Sequence, residues 1–203
     1  MNTAQQQADI ALKSKAMYYG PDGGELDHKP ESCTHLRGRR LVRKDHPIII
    51  WRGKLDSLAA HIIQAQEIGF KAGNQEYVDE LEEILDFVRR LLSHEYIGQP
   101  LERRELLGLD ADALRERSHD PAKFYGHGHM MASYKMGSLS IALNGLRTFV
   151  REVETSAVTA FQGDDDSSSR DDIVMALNRL SSLFYIMMYK YLPKGFRPES
   201  AGI

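Results

Sequence analysis

From residue 54 onward the apolar residues of this chain recur at threes and fours, and that spacing constrains the fold more than any other feature. Tyr77, Leu81, Ile84, Leu85, Val88, Leu91 and Leu92 fall on one face of a 3.6-residue helix, and Asn74 stands where its cap belongs. Leu55, Leu58, Ala59, Ile62 and Ile63 repeat the pattern over residues 54–71, after a short β-branched run, Ile48-Ile49-Ile50. A third helix is expected over about residues 134–161. A fourth is expected from a capping box at Ser169 and Asp172 to about residue 191, before Pro193. Residues 98–133 contain Pro100, Pro121, Gly126 and Gly128, with room for one short helix near residues 111–117. That is long for a connection, and such loops tend to be functional. No strand pair is persuasive, so the expected fold class is all-α, a bundle of four to five helices. Residues 1–33, polar and turn-rich around Gly20 to Gly24, are expected to be poorly ordered; residues 34–192 form the helical domain and residues 193–203 a tail.

Composition excludes several classes. The 203 residues are 42% apolar and 27% charged, which suits one packed domain. A net charge of -3 gives no general attraction to nucleic acid or anionic lipid, so an anion site must be a local cluster. No apolar run approaches the roughly 20 residues of a spanning helix. Residues 1–11 lack the basic and apolar blocks of a signal peptide, and a single cysteine, Cys33, fits a reducing compartment. A cytoplasmic protein with no nucleic-acid or membrane partner is the expectation.

The third helix carries the candidate chemistry. Asn144, Arg147, Arg151 and Glu154 fall on one continuous stripe beside the apolar row Leu139, Leu143, Leu146, Val150, Val153 and Ala157. Such a row can grip a polyanion, and it can equally be a solvated face. On the fourth helix Asn178 has Val174, Ser181, Ser182 and Tyr185 as neighbours, a half-polar groove in an otherwise apolar helix. Asp56 lies in the first turn of the first expected helix, where the dipole favours a carboxylate. Arg37, Arg39, Arg40, Arg43 and Lys44 form a basic segment suited to phosphate or simply to water. His119, Asp120, His127 and His129 have metal-binding side chains, but the loop lacks a second ligand pair and no metal site is assigned. Met130, Met131, Met136, Met187 and Met188 read as core filler, although those in the loop could line an apolar ligand pocket.

Four separated motifs together resemble one family. Lys44-Asp45-His46-Pro47, Arg52-Gly53-Lys54-Leu55-Asp56-Ser57-Leu58, the Arg-Thr-x-x-Arg-x-x-Glu of Arg147 to Glu154, and Leu177-Asn178-Arg179-Leu180-Ser181 occur in the order found in ATP:cob(I)alamin adenosyltransferases of the propanediol-utilisation type. Thr34-His35-Leu36 and the segment from Ala176 to Tyr185 resemble the ethanolamine-utilisation branch more closely. The resemblance implies a helical bundle assembled as a homo-oligomer, a trimer, with ATP, Mg²⁺ and cobalamin at subunit interfaces. It implies that Lys44, Arg147 and Arg151 hold ATP phosphates, that Asn178 orders nucleotide and Mg²⁺, and that Asp56 pairs with Arg147 across the subunit boundary. Thr34 stands roughly where the family's phosphate loop belongs, but the loop's Thr-Lys-x-Gly-Asp-x-Gly pattern is missing. Some members of the branch carry a cysteine-rich metal motif upstream; only Cys33 stands here, so no structural metal is expected. Glu152 and Thr155 stand where the propanediol type has arginines.

In the implied reaction cob(I)alamin attacks C5′ of ATP, giving adenosylcobalamin and triphosphate. The cofactor supplies the nucleophile, so the protein must orient ATP and stabilise the leaving group. Phe124, Tyr125, Met130 and Met131 are the candidates for an apolar wall that keeps water from cobalt. A flavoprotein or ferredoxin-type reductant, location in a bacterial microcompartment and supply of cofactor to ethanolamine ammonia-lyase complete the expectation. The alternative is a non-catalytic corrinoid chaperone or microcompartment scaffold built on the same bundle.

Overall fold

The structure is a computed structural model that describes residues 17–102, 105–163 and 169–196. The described residues group into two compact units, divided between Ile50 and Trp51.

The first unit holds a four-stranded sheet of order β2-β1-β4-β3. Its strands are β1 (Tyr18–Tyr19), β2 (Glu25–Leu26), β3 (Cys33–Arg37) and β4 (Arg40–Arg43). β1 pairs antiparallel with β2 and parallel with β4, while β3 and β4 form an antiparallel hairpin. The fold is therefore mostly helical with a small sheet, which corrects the all-α expectation. The hairpin is tight because Gly38, at φ 54°, opens a two-residue turn between the paired Arg37 and Arg40. Two features hide it from a pattern search. A register shift between His35 and Arg37 breaks the period of two, and five cations over residues 37–44 read as a charge cluster. Leu36, Leu41 and Val42 are nonetheless buried. The boundary expected at residue 33 falls at the first residue of β3, with β1 and β2 before it; residues 1–16 lie outside the described residues.

The helices are α1 (Pro47–Lys71), α2 (Gln75–Ile97), α3 (Ala111–His119), α4 (Pro121–Tyr125), α5 (Gly137–Phe161) and α6 (Asp171–Lys190). α1 begins ahead of the expected residue 54. Pro47 is preset for a first helical position, so Ile48, Ile49 and Ile50 form the opening turn rather than a strand-like lead. Asn74 caps α2 as expected, its side chain accepting from the Tyr77 amide at 3.0 Å. The expected third helix is broken near its start: a single 3₁₀ turn, Tyr134–Met136, precedes α5, and Gly137 between them takes φ 78°. The expected capping box of α6 does not form. Ser169 Oγ donates to the Phe161 carbonyl, and Asp172 accepts from the Leu101 amide and from Arg170. Both side chains are drawn into tertiary bonds instead.

The second unit's core joins the apolar faces of the long helices. Leu81, Ile84 and Leu91 of α2, Leu143, Val150 and Val153 of α5, and Leu177, Leu180 and Phe184 of α6 are fully buried. Met136, Met187 and Met188 are buried too, as core filler should be. Trp51 packs edge-on against Phe161 at 5.0 Å. Arg52 reaches the buried Glu95 carboxylate at 2.7 Å, joining α1 to α2. Ser140 Oγ donates to the Met188 carbonyl at 3.0 Å, fixing α5 against α6.

At Gly69 α1 packs closely on α2. A Cβ there would overlap the Tyr77 ring and lie 3.3 Å from Val78 Cγ2. Alanine gains up to about 1 kcal/mol of helix propensity over glycine, whereas overpacking a closed contact costs about 1–3 kcal/mol. Gly69→Ala should therefore lower the urea midpoint at unchanged slope. A raised midpoint would mean that the ring turns aside freely.

Candidate functional site

Helix α5 presents Asn144, Arg147, Arg151 and Glu154 along one line because they recur at helical spacing on the edge of its buried face. Arg147 is half-buried. Its Nε and Nη2 both donate to Asn144 Oδ1 at 3.1 Å, and its guanidinium carbon lies 6.0 Å from the centre of the Tyr185 ring on α6. Burial, and then the like charge of Arg151, push the Arg147 guanidinium below its ordinary pKa. Both effects say the same thing: an anion beside Arg147 would be welcome. Among the described residues no carboxylate forms an ion pair with Arg147 or Arg151.

These two arginines line a cleft of about 360 Å³ together with Ser118 and His119 of α3, Ser181, Ser182 and Tyr185 of α6, and His129. One turn along the same helices, Asn178 Nδ2 donates to Glu154 Oε1 at 2.8 Å, and Arg179 Nη1 donates to Asn178 Oδ1 at 2.7 Å. Glu154 thus holds the amide that the sequence had pointed to. A second cavity, of about 270 Å³, is rimmed by Glu102, Glu105, Asp110, Asp112 and Asp172. Those carboxylates would repel a polyanion, so the arginine cleft is the candidate site.

A chain of hydrogen bonds fixes the mouth of the cleft. His129 Nδ1 lies 2.9 Å from the Tyr185 hydroxyl, which lies 2.8 Å from the Tyr189 hydroxyl, and Tyr189 donates to the Gly128 carbonyl at 2.9 Å. Tyr125 stacks on Tyr189 at 5.3 Å and 20°. Burial, reinforced by the bond to Tyr185, raises the Tyr189 phenol, which stays protonated.

Comparison with known proteins shows the family. The family model described as cobalamin adenosyltransferase matches residues 27–191. The chain belongs to the cobalamin adenosyltransferase family. It is 35% identical over 160 residues to the corrinoid adenosyltransferase EutT of Salmonella typhimurium, and 34% identical over the same length to that of Escherichia coli K12. Each alignment covers 79% of this chain and 58% of the relative, so the chain spans a little over half the length of these curated relatives.

In this member of the family the expected site residues are placed unequally. Arg147 and Arg151 share the cleft, with Asn178 one turn away. Asp56 is exposed on α1, and no ion pair joins it to Arg147 among the described residues. Thr34, half-buried in β3, and Lys44, exposed after β4, belong to the first unit. Phe124 lies under two cations, 5.4 Å from Arg117 and 4.8 Å from Lys123. Tyr125 is held by Tyr189, Met130 is buried and Met131 is 59% exposed. The four wall candidates thus face different surroundings.

Sequence reading missed Tyr189 altogether and considered His129 only as a metal ligand. The signal that could have found them is non-local: His129 meets Tyr185 across 56 residues of chain.

Tyr189→Phe tests whether this network holds the loop. It leaves the Gly128 carbonyl and the Tyr185 hydroxyl without their partner and should cost about 1–2 kcal/mol of stability. Amide exchange at Gly128 to Met131 should quicken more than exchange in α5. Equal rates in wild type and variant would show that stacking by Tyr125 suffices.

Proposed function

We propose that this chain transfers the 5′-deoxyadenosyl group of ATP to cob(I)alamin, giving adenosylcobalamin and triphosphate. The observation that carries the reading is the pair of guanidiniums, Arg147 and Arg151, unneutralised by any described carboxylate and facing one cleft. The family and the EutT relatives support it. The proposed product serves ethanolamine ammonia-lyase, and the proposed setting is the cytoplasm or a bacterial microcompartment. No helix of the structure is long and apolar enough to cross a membrane among the described residues.

The chemistry asks little of the side chains as acids or bases. The cobalt electron pair attacks C5′, the C5′–O5′ bond breaks, and its electrons leave on triphosphate. Charge therefore grows on the leaving group, and fixed cations are the useful response. Arg147 is preorganised by Asn144 and Tyr185 for that task, and Arg151 sits one turn on. Ser181 and Ser182 offer hydroxyls on the facing helix.

Mg²⁺ is a hard cation that takes one or two protein oxygens and completes its shell with phosphate and water. Glu154 and Asn178, one hydrogen bond apart beside the arginines, provide that donor chemistry and would hold it. Bound there, it would neutralise phosphate charge. Of the wall candidates, Met131, 59% exposed, is the one open to meet a corrinoid ring. A flavoprotein or ferredoxin-type partner would deliver the electrons that generate cob(I)alamin.

A homo-oligomer, a trimer, fits the surface of α1. Ile63 and Phe70 are exposed there at 49% and 72%, and the nearby Asp56 carboxylate is the natural partner for Arg147 of a second copy. Asp56→Asn should then weaken ATP use or reduce the oligomer mass seen by light scattering. Unchanged values of both would sink that pairing.

Mixing the protein with ATP, Mg²⁺ and chemically reduced cobalamin should convert the corrinoid spectrum to that of the alkylated cofactor. Arg147→Ala and Asn178→Ala should each lower turnover by about a hundredfold or more while helical circular dichroism is kept. Tight cobalamin binding without conversion in wild type would favour a corrinoid chaperone instead.

A further inference from the structure

We propose that His129 is a proton-linked phosphate ligand, whose Nε2 takes up a proton as a triphosphate enters the arginine cleft. The inference rests on the triphosphate reading of that cleft and adds a third, titratable cation to it.

The hydrogen-bond chain fixes its own polarity. The Gly128 carbonyl can only accept, so the single Tyr189 hydroxyl proton is spent on it. The Tyr189 oxygen must then accept from Tyr185, which spends the Tyr185 proton. The Tyr185 oxygen is left to accept from His129, so the proton of a neutral His129 ring resides on Nδ1. Nε2 is the bare nitrogen. Tyr185 stacks beside the imidazole, at 6.0 Å and 19°, and holds its plane.

The surroundings decide when Nε2 gains a proton. Arg147 and Arg151 face it from α5, His119 from the end of α3, and the neutral phenols Tyr185 and Tyr189 from α6; Tyr125 stands behind Tyr189. A triphosphate would bring negative charge among these cations, and imidazoles are the side chains there that can change charge near neutral pH; of the two, His119 and His129, it is His129 whose Nδ1 is held by Tyr185. Protonated, it donates a charge-assisted hydrogen bond from Nε2 while Nδ1 stays on Tyr185. The relay therefore delivers a neutral acceptor to the empty cleft and a cationic donor to the filled one.

His129→Asn is the discriminating variant, because its amide can still donate to Tyr185 but cannot titrate. Calorimetric titrations of the full chain with Mg·ATP, and separately with inorganic triphosphate, in buffers of different ionisation enthalpy read proton uptake directly. Wild type should take up more protons than His129→Asn near neutral pH. Its affinity should weaken from about pH 6 to about pH 8 by roughly tenfold more than that of the variant. Tyr185→Phe, which keeps the imidazole and removes its anchor, should retain the uptake and bind about threefold more weakly. Uptake undiminished in His129→Asn, or abolished by His119→Asn instead, would overturn the assignment. Binding of neither probe to wild type would overturn the triphosphate reading, and this proposal with it.

Discussion

Helices α5 and α6 lie together along apolar faces, and that seam fixes the relative positions of the cleft residues they carry. Leu143, Val150, Val153, Leu177, Leu180 and Phe184 are all fully buried, each worth about 1.5–3 kcal/mol of transfer free energy before conformational entropy is counted against it. One polar contact sets the register. Ser140, itself fully buried, spends its hydroxyl proton on the Met188 carbonyl, and a slip by one residue would strand both groups. With register fixed, Arg147 must come over the Tyr185 ring and Glu154 must meet Asn178. The functional polar contacts are thus consequences of an apolar fit.

The helical frame was largely legible because helices announce themselves locally. Asn74, the repeats of α2 and the polar stripe of α5 need only the spacing of near neighbours. The arginines could be placed on one face, and Ser181, Ser182 and Tyr185 on the facing groove, without knowing that the two faces meet. Hidden features all depend on partners distant in sequence or on backbone irregularity. The hairpin at Gly38 is masked by its register shift and its arginines. Ser169 and Asp172 spell a cap, yet tertiary acceptors and donors outbid the helix end. Glu154 has its partner, Asn178, 24 residues away. His129 offered an imidazole to any reader, but only the fold shows that its ring meets Tyr185.

The proposed polyanion site is compatible with an acidic chain. The net charge of -3 spreads over the whole surface, whereas Arg147 and Arg151 act across a few ångströms within a partly desolvated cleft. Screening weakens the distant carboxylates more than it weakens the near cations. Burial first and Arg151 second lower the Arg147 pKa from its ordinary value, and that strain on the guanidinium is what a nearby anion would relieve. The arginine remains charged, so the strain appears as affinity for an anion rather than as loss of a proton.

The identity of residue 144 shows how such a charge is held ready. Both Arg147 donors on one edge go to a single neutral oxygen, Asn144 Oδ1, one turn earlier on the same helix. An aspartate would orient the guanidinium as well, but it would neutralise the charge and compete with any phosphate for it. A shorter or apolar side chain would leave the charge intact and its direction loose. The amide gives direction without neutralisation, and Tyr185 does the same from the other helix through the face of its ring. The one carboxylate on the stripe, Glu154, is bonded to an amide rather than to either arginine. Within one copy, orientation of Arg147 by neutral dipoles, with Glu154 bonded to an amide, separates this row of residues from an ordinary solvated face carrying the same charges.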